Sequence, residues 1–289
     1  MHSMSVESVA RDIKEMKIQG AVTIAIAAEE ALEEFIKSCQ AGSRDDFLSQ
    51  LRAEGRKLAE ARPSAIALPN AVRAFIEKVE AINLGMPDLK EAALLAGKEL
   101  IADTKDSFNE LIEKGSEVVR DGQLILIHCH SSTVTGLLKK AWDKGKRFKV
   151  ICTETRPSKQ GFLSAKELAE HEIPTTLVVD SAVASVMPGV DMVMVGADTV
   201  LKNGDVVNKI GTLGLALAAK EFGVPMYVAT QRIKFDTEGK GVDIESRPAE
   251  EILEGAELPG VEVENLVFDI TKKVYFRGII TEGGVRQKW

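Results

Sequence analysis

Cys129 is a thiol that directly follows a short, entirely apolar run, where it could take part in acid–base or nucleophilic chemistry. The run, residues 124–127, reads Leu-Ile-Leu-Ile and is typical of a strand buried on both faces of a parallel sheet. Three hydroxyl side chains follow at the start of a predicted helix: Ser131, Ser132 and Thr133. Free N–H groups at a helix start bind anions, and they lower the pKa of a nearby thiol. The segment therefore predicts a base of lowered pKa beside an anion site.

The alternative for any free cysteine is a buried, unreactive thiol that packs as a small hydrophobe. Cys39, in a predicted helix, and Cys152, inside the apolar run 148–153, are predicted to be of this kind. For Cys129, its own segment leaves both roles open. His128 and His130 flank it, but a zinc site needs further ligands at suitable spacing, and none is evident. We expect no metal and no other cofactor.

Polar residues also follow the other predicted parallel strands, at the sheet edge where a ligand crevice is expected. Asp198 comes after Gly196 and Ala197, whose small size allows backbone or ligand to approach closely. Asp198 is therefore the better catalytic candidate. Asp180 directly precedes Ser181 and is favoured as the N-cap of the next helix.

A phosphate grip is predicted directly before the helix that starts at Gly211. Asn208 and Lys209 supply an amide and a positive charge next to free helix N–H groups. The alternative is an ordinary polar turn. Lys234 follows the fifth predicted strand and means little by itself. No Walker A or G-x-G-x-x-G motif follows the first strand, so the sequence does not support a P-loop or dinucleotide site.

Two regions with different apolar periodicity must position these residues. Residues 1–115 have apolar residues at three- and four-residue spacing, which predicts a helical domain. Residues 116–289 alternate apolar strands with helices, which predicts an α/β domain with a doubly wound parallel sheet. The predicted helices of the first region are 6–16, 21–39, 44–61, 65–82 and 89–114. The predicted strands of the second region are 124–128, 148–153, 175–180, 192–197 and 226–230. The helices between them are 134–142, 164–171, 182–187 and 211–222, and two later apolar runs are 267–270 and 274–280.

The composition is that of a globular protein, with 45% hydrophobic and 28% charged residues among 289. A net charge of −7 argues against a nucleic-acid partner. Three widely separated cysteines predict a reducing compartment and no disulfide framework. The chain has no apolar run of about 18 residues and no signal-peptide pattern. A cytoplasmic protein without membrane contact is expected.

Several motifs, taken in order, resemble the family of methylthioribose-1-phosphate isomerase, archaeal ribose-1,5-bisphosphate isomerase and the alpha, beta and delta subunits of eukaryotic initiation factor 2B. The resemblance covers nearly the whole chain. Its motifs are Ile-Gln-Gly-Ala at 18–21, Arg-Pro-Ser-Ala at 62–65, His-Cys-His-Ser-Ser at 128–132, Thr-Glu-Thr-Arg-Pro at 153–157, Val-Gly-Ala-Asp at 195–198 and Asn-Lys-Ile-Gly-Thr at 208–212. The last three are typical of the whole family. Cys129, Asp198 and Arg62 distinguish the sugar-phosphate isomerases from the non-catalytic members.

The resemblance implies an N-terminal all-helical domain joined to a Rossmann-like domain, with Cys129 and Asp198 as the acid–base pair. It implies phosphate-binding positions at Gly20, Ala21, Arg62, Ser131, Ser132, Thr133, Asn208, Lys209 and Lys234. It also implies a homodimer or larger homo-oligomer, with AMP as a candidate activator. The motifs are most similar to those of the archaeal ribose-1,5-bisphosphate enzymes. The expected reaction is therefore conversion of ribose 1,5-bisphosphate to ribulose 1,5-bisphosphate in archaeal nucleotide salvage.

One position departs from the isomerase pattern. Where the isomerases carry Arg-Gly-Ala, this chain has Gln19, Gly20 and Ala21, so a positive charge expected to face a phosphate is absent. This departure keeps open a second hypothesis, a non-catalytic subunit related to initiation factor 2B that binds a nucleotide or sugar phosphate. A methylthioribose-1-phosphate isomerase is the third hypothesis.

Overall fold

A computed structural model of the chain describes residues 5–18, 20–62, 65–242, 244 and 246–286. The described residues form two compact units. The helical unit consists of Met1–Ser107 with Ile233–Phe235, and the sheet unit consists of Phe108–Arg232 with Asp236–Trp289. The sequence-based boundary after residue 115 lies at the end of a long helix, whereas the contacts divide the chain inside that helix.

The described part of the helical unit is built from the five helices that the apolar spacing predicts, with ends shifted by one or two residues. Two of them begin at serine caps, because the Ser5 and Ser43 hydroxyls accept backbone N–H groups of the first turn. Phe47 and Phe75 are fully buried in the centre of the unit. The helices are α1 (Val6–Lys14), α2 (Ala21–Ser38), α3 (Arg44–Ala59), α4 (Ala67–Glu80) and α5 (Asp88–Ser116).

The sheet unit contains a seven-stranded, mostly parallel sheet, so the protein is a mixed α/β protein. The large sheet consists of β1 (Leu124–His128), β2 (Lys149–Thr153), β3 (Thr175–Val178), β4 (Met192–Val195), β7 (Met226–Ala229), β9 (Gly278–Thr281) and β10 (Gly284–Arg286). Their order is β10-β9-β7-β4-β1-β2-β3, and the pair β9–β10 is antiparallel. All five predicted parallel strands are present, and four of them are buried along most of their length, whereas β3 lies at the end of the sheet and is partly exposed.

The order of the strands reverses between β1 and β4. From β1 the chain proceeds to β2 and β3 on one side and then returns to β4 on the other. Neighbouring parallel strands whose connections leave in opposite directions open a crevice at their carboxyl ends. The crevice is therefore expected directly after His128 and Val195, which pair across the two strands.

A second, three-stranded sheet was not predicted. It consists of β5 (Thr199–Val200), β6 (Val206–Lys209) and β8 (Phe268–Thr271), and its strand pairs are antiparallel. The alternative that Asn208 and Lys209 form an ordinary polar turn is wrong, since both lie in β6 and are buried. Of the predicted run 274–280, only the end is a strand, because residues Lys273–Tyr275 form a 3-10 turn.

The predicted connecting helices are present in the sheet unit. They are α6 (Ser132–Asp143), α7 (Gly161–Glu170), α8 (Val183–Val186) and α9 (Thr212–Glu221), and a further short helix is α10 (Glu250–Leu253). Among the described residues, no helix has the length and apolar content needed to cross a membrane.

Candidate active site

Cys129 lies one residue beyond β1 and has a left-handed backbone, with φ of 67°. This conformation is uncommon for a residue with a side chain, and it is held by hydrogen bonds on both sides of the residue. The Cys129 N–H donates to Thr155 Oγ1 at 2.9 Å, and the Ser164 hydroxyl donates to the Cys129 carbonyl at 3.0 Å. The thiol donates to Gln160 Oε1 at 3.1 Å. The segment after β2 therefore fixes the direction in which the thiol points.

The pKa of this thiol is opposite to the sequence-based expectation. Burial raises the pKa of Cys129 to about 12, although the positive charge of Lys209 acts to lower it. The negative charges of Asp198 and Asp180 raise it further. The predicted lowering by helix N–H groups is wrong because desolvation outweighs the cation, and the thiol is protonated at neutral pH.

His128 connects three segments at the end of β1. Its Nε2 lies 2.8 Å from the carbonyl of Ile210, which can only accept, so Nε2 carries the proton. Burial lowers the pKa of His128, and Nδ1 of the neutral ring accepts from the Thr153 hydroxyl at 2.6 Å. Gly211 packs on the imidazole, where a Cβ would lie 3.0 Å from the ring. His128 therefore has a structural role: its ring links the end of β1 to Thr153 of β2 and to the carbonyl of Ile210.

Asp180 holds the segment after β2 and does not act as an N-cap. Its two carboxylate oxygens accept the N–H groups of Thr155 and Arg156 at 2.8 and 2.7 Å. Val179 takes the cap position of the following 3-10 turn, and it makes no side-chain cap bond. The N-cap prediction for Asp180 is therefore wrong, because its carboxylate binds the N–H groups of another loop. Asp180 positions Thr155, which in turn holds Cys129.

The ends of β1 and β4 meet at the switch point. A Cβ on Gly196 would lie 2.6 Å from Ser131 Oγ, so the small residue allows the two strand ends to touch. Asp198 follows two residues later, is half-buried, and is fixed by its N–H, which donates to the carbonyl of Val207 at 3.0 Å. Its charge acts on the Cys129 thiol. The structure thus brings the two predicted catalytic residues to one end of the sheet.

The hydroxyl segment after Cys129 forms the start of α6. Ser131 is the N-cap, and its Oγ accepts from the N–H of Val134 at 3.4 Å. Thr133 is buried and Ser132 is exposed. The backbone N–H groups of Ser132 and Thr133 belong to the first turn, which has no intrahelical acceptor for them. These N–H groups are the anion-binding feature that the sequence predicts here.

The other predicted phosphate grip is built differently from the prediction. The start of α9 is already bound by a carboxylate, because Asp269 Oδ2 accepts the N–H groups of Gly211 and Leu213 at 2.8 and 3.0 Å. The Asn208 amide donates to Thr212 Oγ1 at 2.9 Å. Lys209 is buried with its ammonium 5.2 Å from the centre of the Phe268 ring. Of this group, the charge of Lys209 is what acts on the site around Cys129.

The remaining predicted contacts belong to the helical unit. Gly20 is the N-cap of α2 with φ of 87°, and Ala21 is its first residue. Arg62 follows α3, and Lys234 lies in the 3-10 turn Arg232–Lys234. Their roles stay predictions, and Gln19 lies outside the described residues.

Gln160 is the residue that sequence reasoning missed as part of the site, and the contacts of Thr155 and Asp180 were not predicted. The motif at 153–157 ends three residues before Gln160, but neither spacing nor residue type shows that the Gln160 side chain contacts the thiol. In the described part of the chain, no three His, Cys, Asp or Glu side chains are grouped so that they could hold a metal ion.

The chain is similar in sequence and structure to proteins of known family. The model of the initiation factor 2 subunit family matches residues 17–288. Ribose 1,5-bisphosphate isomerase of Thermococcus kodakarensis is 39% identical over 287 residues, which span 96% of this chain and 89% of that protein. The crystal structure of 5-methylthioribose 1-phosphate isomerase from Pyrococcus horikoshii OT3 is similar with a TM-score of 0.81 and 32% identity, covering 98% of this chain and 84% of that one.

A structure of the translation initiation factor eIF-2B of Pyrococcus horikoshii OT3 is similar with a TM-score of 0.83 and 28% identity, and the match covers 98% of this chain and 96% of that one. The family model and the relatives each match nearly the whole chain. The chain therefore belongs to the initiation factor 2 subunit family.

Proposed function

We propose that this protein is an aldose–ketose isomerase that converts ribose 1,5-bisphosphate to ribulose 1,5-bisphosphate. The observation that carries the proposal is geometric: Cys129 directly follows β1 and Asp198 follows β4 at the β1–β4 switch point, with the Cys129 thiol donating to Gln160 Oε1 at 3.1 Å. Archaeal relatives named ribose 1,5-bisphosphate isomerase are 37 to 39% identical over most of this chain. These relatives favour a bisphosphate substrate over the methylthioribose one.

The protonation state of the thiol suggests an order of steps. Opening of the furanose ring breaks the bond between C1 and the ring oxygen, and the thiol of Cys129 donates its proton to that oxygen. The thiolate then takes the proton from C2, and the electrons of the C–H bond form a double bond between C1 and C2. The Asp198 carboxylate takes the proton of the C2 hydroxyl and delivers it to C1, which leaves the ketone. General acid–base steps of this kind each contribute roughly 10²- to 10⁴-fold in rate.

The start of α6 is proposed as one phosphate-binding position of the substrate. The N–H groups of Ser132 and Thr133 and the Ser131 hydroxyl would bind its oxygens. Lys209, whose charge acts on the same site, would compensate part of the negative charge. Asn208 is a candidate phosphate-binding residue only because it precedes Lys209, since its own amide donates to Thr212.

Further parts of the proposal rest on the resemblance. We infer two domains, an all-helical one over 1–115 and a Rossmann-like, doubly wound one over 116–289. We infer a homo-oligomer and activation by AMP, and a reducing, cytoplasmic setting, which suits three free cysteines.

An assay of the purified full-length chain tests the proposal. Ribose 1,5-bisphosphate and 5-methylthioribose 1-phosphate are each supplied with and without AMP, and products are followed by NMR in deuterated water. We expect conversion of the bisphosphate, faster with AMP, and deuterium at C1 of the product. Conversion of the methylthioribose substrate alone would make that sugar the substrate. No conversion of either would favour the non-catalytic subunit.

Gln19 offers a second test of the same proposal. The isomerases carry arginine at this position, and a hydrogen bond from a charged group is worth about 1.5–3 kcal/mol. Gln19→Arg should therefore lower KM for the bisphosphate roughly ten- to a hundredfold and leave kcat unchanged. An unchanged KM would show that this chain does not use the position for phosphate binding.

A further inference from the structure

Gln160 contacts the Cys129 thiol from the start of α7. It occupies the N-cap position of that helix, where a side chain usually accepts a backbone N–H of the first turn. The Gln160 side chain makes no such cap bond. Instead, its Oε1 accepts the S–H of Cys129 at 3.1 Å. The Gln160 side chain therefore accepts a hydrogen bond from the thiol and does not cap the helix.

The backbone around Gln160 is fixed by the residue that follows it. A Cβ on Gly161 would lie 1.7 Å from the carbonyl oxygen of Thr153, so the start of α7 rests directly on the end of β2. The Gly161 N–H donates to the carbonyl of Glu154 at 3.1 Å. Only glycine permits this close approach of the α7 start to β2. The approach brings Gln160, the residue before Gly161, to the position where its amide contacts the thiol.

An amide can serve both protonation states of a thiol. Its oxygen accepts from S–H, and its NH₂ group donates to a thiolate after half a turn about the last side-chain torsion. A carboxylate at the same place could only accept. The amide also adds no net charge, so it stabilises the thiolate without a counterion.

We propose that Gln160 is a positioning residue that holds the proton of the Cys129 thiol in the resting protein and, by turning its amide, donates a hydrogen bond to the thiolate after that proton has moved to the substrate. The inference rests on the proposed isomerase function for the second half of this cycle. The first half, the contact in the resting protein, can be tested without substrate.

The other charged groups around the thiol are Lys209, Asp198 and Asp180. They belong to β6, to the residues after β4 and to the turn after β3, and no variant at Gln160 changes them. A change in the ionisation of Cys129 on substitution of Gln160 therefore reports the side chain at that position.

Two variants separate the roles of the amide. Gln160→Glu keeps an acceptor, removes the donor and places a negative charge beside a thiolate. Gln160→Leu removes both hydrogen-bonding groups. Alkylation of Cys129 by iodoacetamide, followed by mass spectrometry across pH with Cys129→Ser as the blank, measures thiolate formation. We expect the alkylation profile to move to higher pH in the glutamate variant and to move less in the leucine variant.

Turnover gives the second readout. Both variants should lower kcat roughly ten- to a hundredfold, the size expected for losing a hydrogen bond to a charged group, with the glutamate variant the slower. KM should stay within about twofold in both. Glu170→Gln, on the exposed surface of the same helix, is the matched control and should change neither readout.

A purely structural role would reverse this ranking. An acidic side chain at a helix start stabilises the helix, so a capping role predicts that the glutamate variant is the more stable and the more active of the two. Equal alkylation profiles for the wild-type protein and the glutamate variant would overturn the proposal. If the glutamate variant does not fold, unchanged kcat in the leucine variant overturns it. Loss of the isomerase function itself would appear as an inactive wild-type protein, with the alkylation result still decisive for the contact.

Discussion

Cys152 lies in β2 and Cys129 directly follows the neighbouring strand β1, and burial is the main cause that raises the pKa of each thiol to about 12. Cys152 is inside β2, paired with Ile127 of β1, and packs in the apolar core of the sheet unit. Desolvation is the cause of its pKa shift. Cys129 lies past the strand end, where Gln160 contacts its sulfur and three charges act on it.

The sheet interior and its carboxyl edge therefore differ in two ways: Cys152 is fully buried among apolar side chains, whereas Cys129 is partly exposed and has polar and charged neighbours. A pKa of about 12 keeps both thiols protonated, but among the described residues only Cys129 has an acceptor for its proton and a cation, Lys209, that favours its thiolate. Cys152 is thus a packing residue, whereas Cys129 is a partly exposed thiol with polar partners that can act as a proton donor. Substitutions matched between the two regions test this interpretation.

The largest effect is expected from the two cysteines. Cys129→Ser should lower kcat roughly 10²- to 10⁴-fold, because a general acid–base group is replaced by a hydroxyl of much higher pKa. Cys152→Ala should keep kcat and lower the free energy of unfolding by roughly 1–2 kcal/mol, since it removes buried apolar contacts. Steady-state kinetics and urea denaturation measure the two quantities. Similar losses of turnover in both variants would remove the distinction between interior and edge.

A smaller effect is expected from two aspartates at opposite ends of the sheet. Asp180 binds the N–H groups of Thr155 and Arg156 at the carboxyl edge, and Asp191 accepts the N–H of Leu124 at the amino edge at 2.8 Å. Both bonds are charge-assisted, so replacing either carboxylate by an amide should cost about 1–3 kcal/mol.

Only one of these two substitutions should lower kcat. Asp180→Asn should lower kcat roughly tenfold, because it loosens the segment that holds Cys129, whereas Asp191→Asn should lower stability alone. Thermal melting and kcat are measured for both variants. A drop in kcat for Asp191→Asn as large as for Asp180→Asn would show that general stability, and not the edge, controls turnover.

The sequence predicts the strands of the large sheet well and the small sheet poorly, for a physical reason. Runs such as that of β1 are apolar throughout because both faces are buried, and that pattern is visible in the sequence. β6 contains Asn208 and Lys209, and β5 has two residues, so neither shows a strand pattern. The sequence therefore gives no indication that the polar residues of β6 lie in a strand.

The candidate site was predictable in its residues and not in its electrostatics. Strand ends point to Cys129 and Asp198, because the carboxyl ends of parallel strands meet at one edge. The pKa of the thiol depends on desolvation and on charges from β6 and from the turn after β3, which are distant in sequence. Likewise, nothing in the sequence shows that Asp269 binds the start of α9.

The smallest effect is expected in the helical unit. Glu29 in that unit resembles Cys152 in being a buried ionisable group whose pKa is raised by burial. Glu29 lies in α2 and is 1% exposed, and its Oε2 makes no hydrogen bond among the described residues. Burial, and to a smaller extent the neighbouring charges of Glu33, Glu30 and Asp103, raises the pKa of Glu29 to about 7. Burial also raises the pKa of Glu33, one turn along the same helix.

The sign of the pH dependence follows from this shift. Because the pKa of Glu29 in the folded state lies above the ordinary value of 4.5, the folded state binds more protons between pH 4.5 and 7. The contribution of Glu29 to stability is therefore greatest below pH 4.5 and is lost as pH rises through 7.

The full pKa shift of Glu29 corresponds to roughly 3 kcal/mol, and an amide retains part of the desolvation cost. We expect Glu29→Gln to raise the free energy of unfolding by roughly 1–2 kcal/mol at pH 8 and by little at pH 5. Urea denaturation at both pH values measures this difference.

Glu34→Gln, on the exposed face of α2, is the control, since the Glu34 carboxylate pairs with Lys37 at the surface. A gain for Glu29→Gln that is the same at pH 5 and pH 8 would mean that packing, and not the buried charge, distinguishes the variant from the wild-type protein.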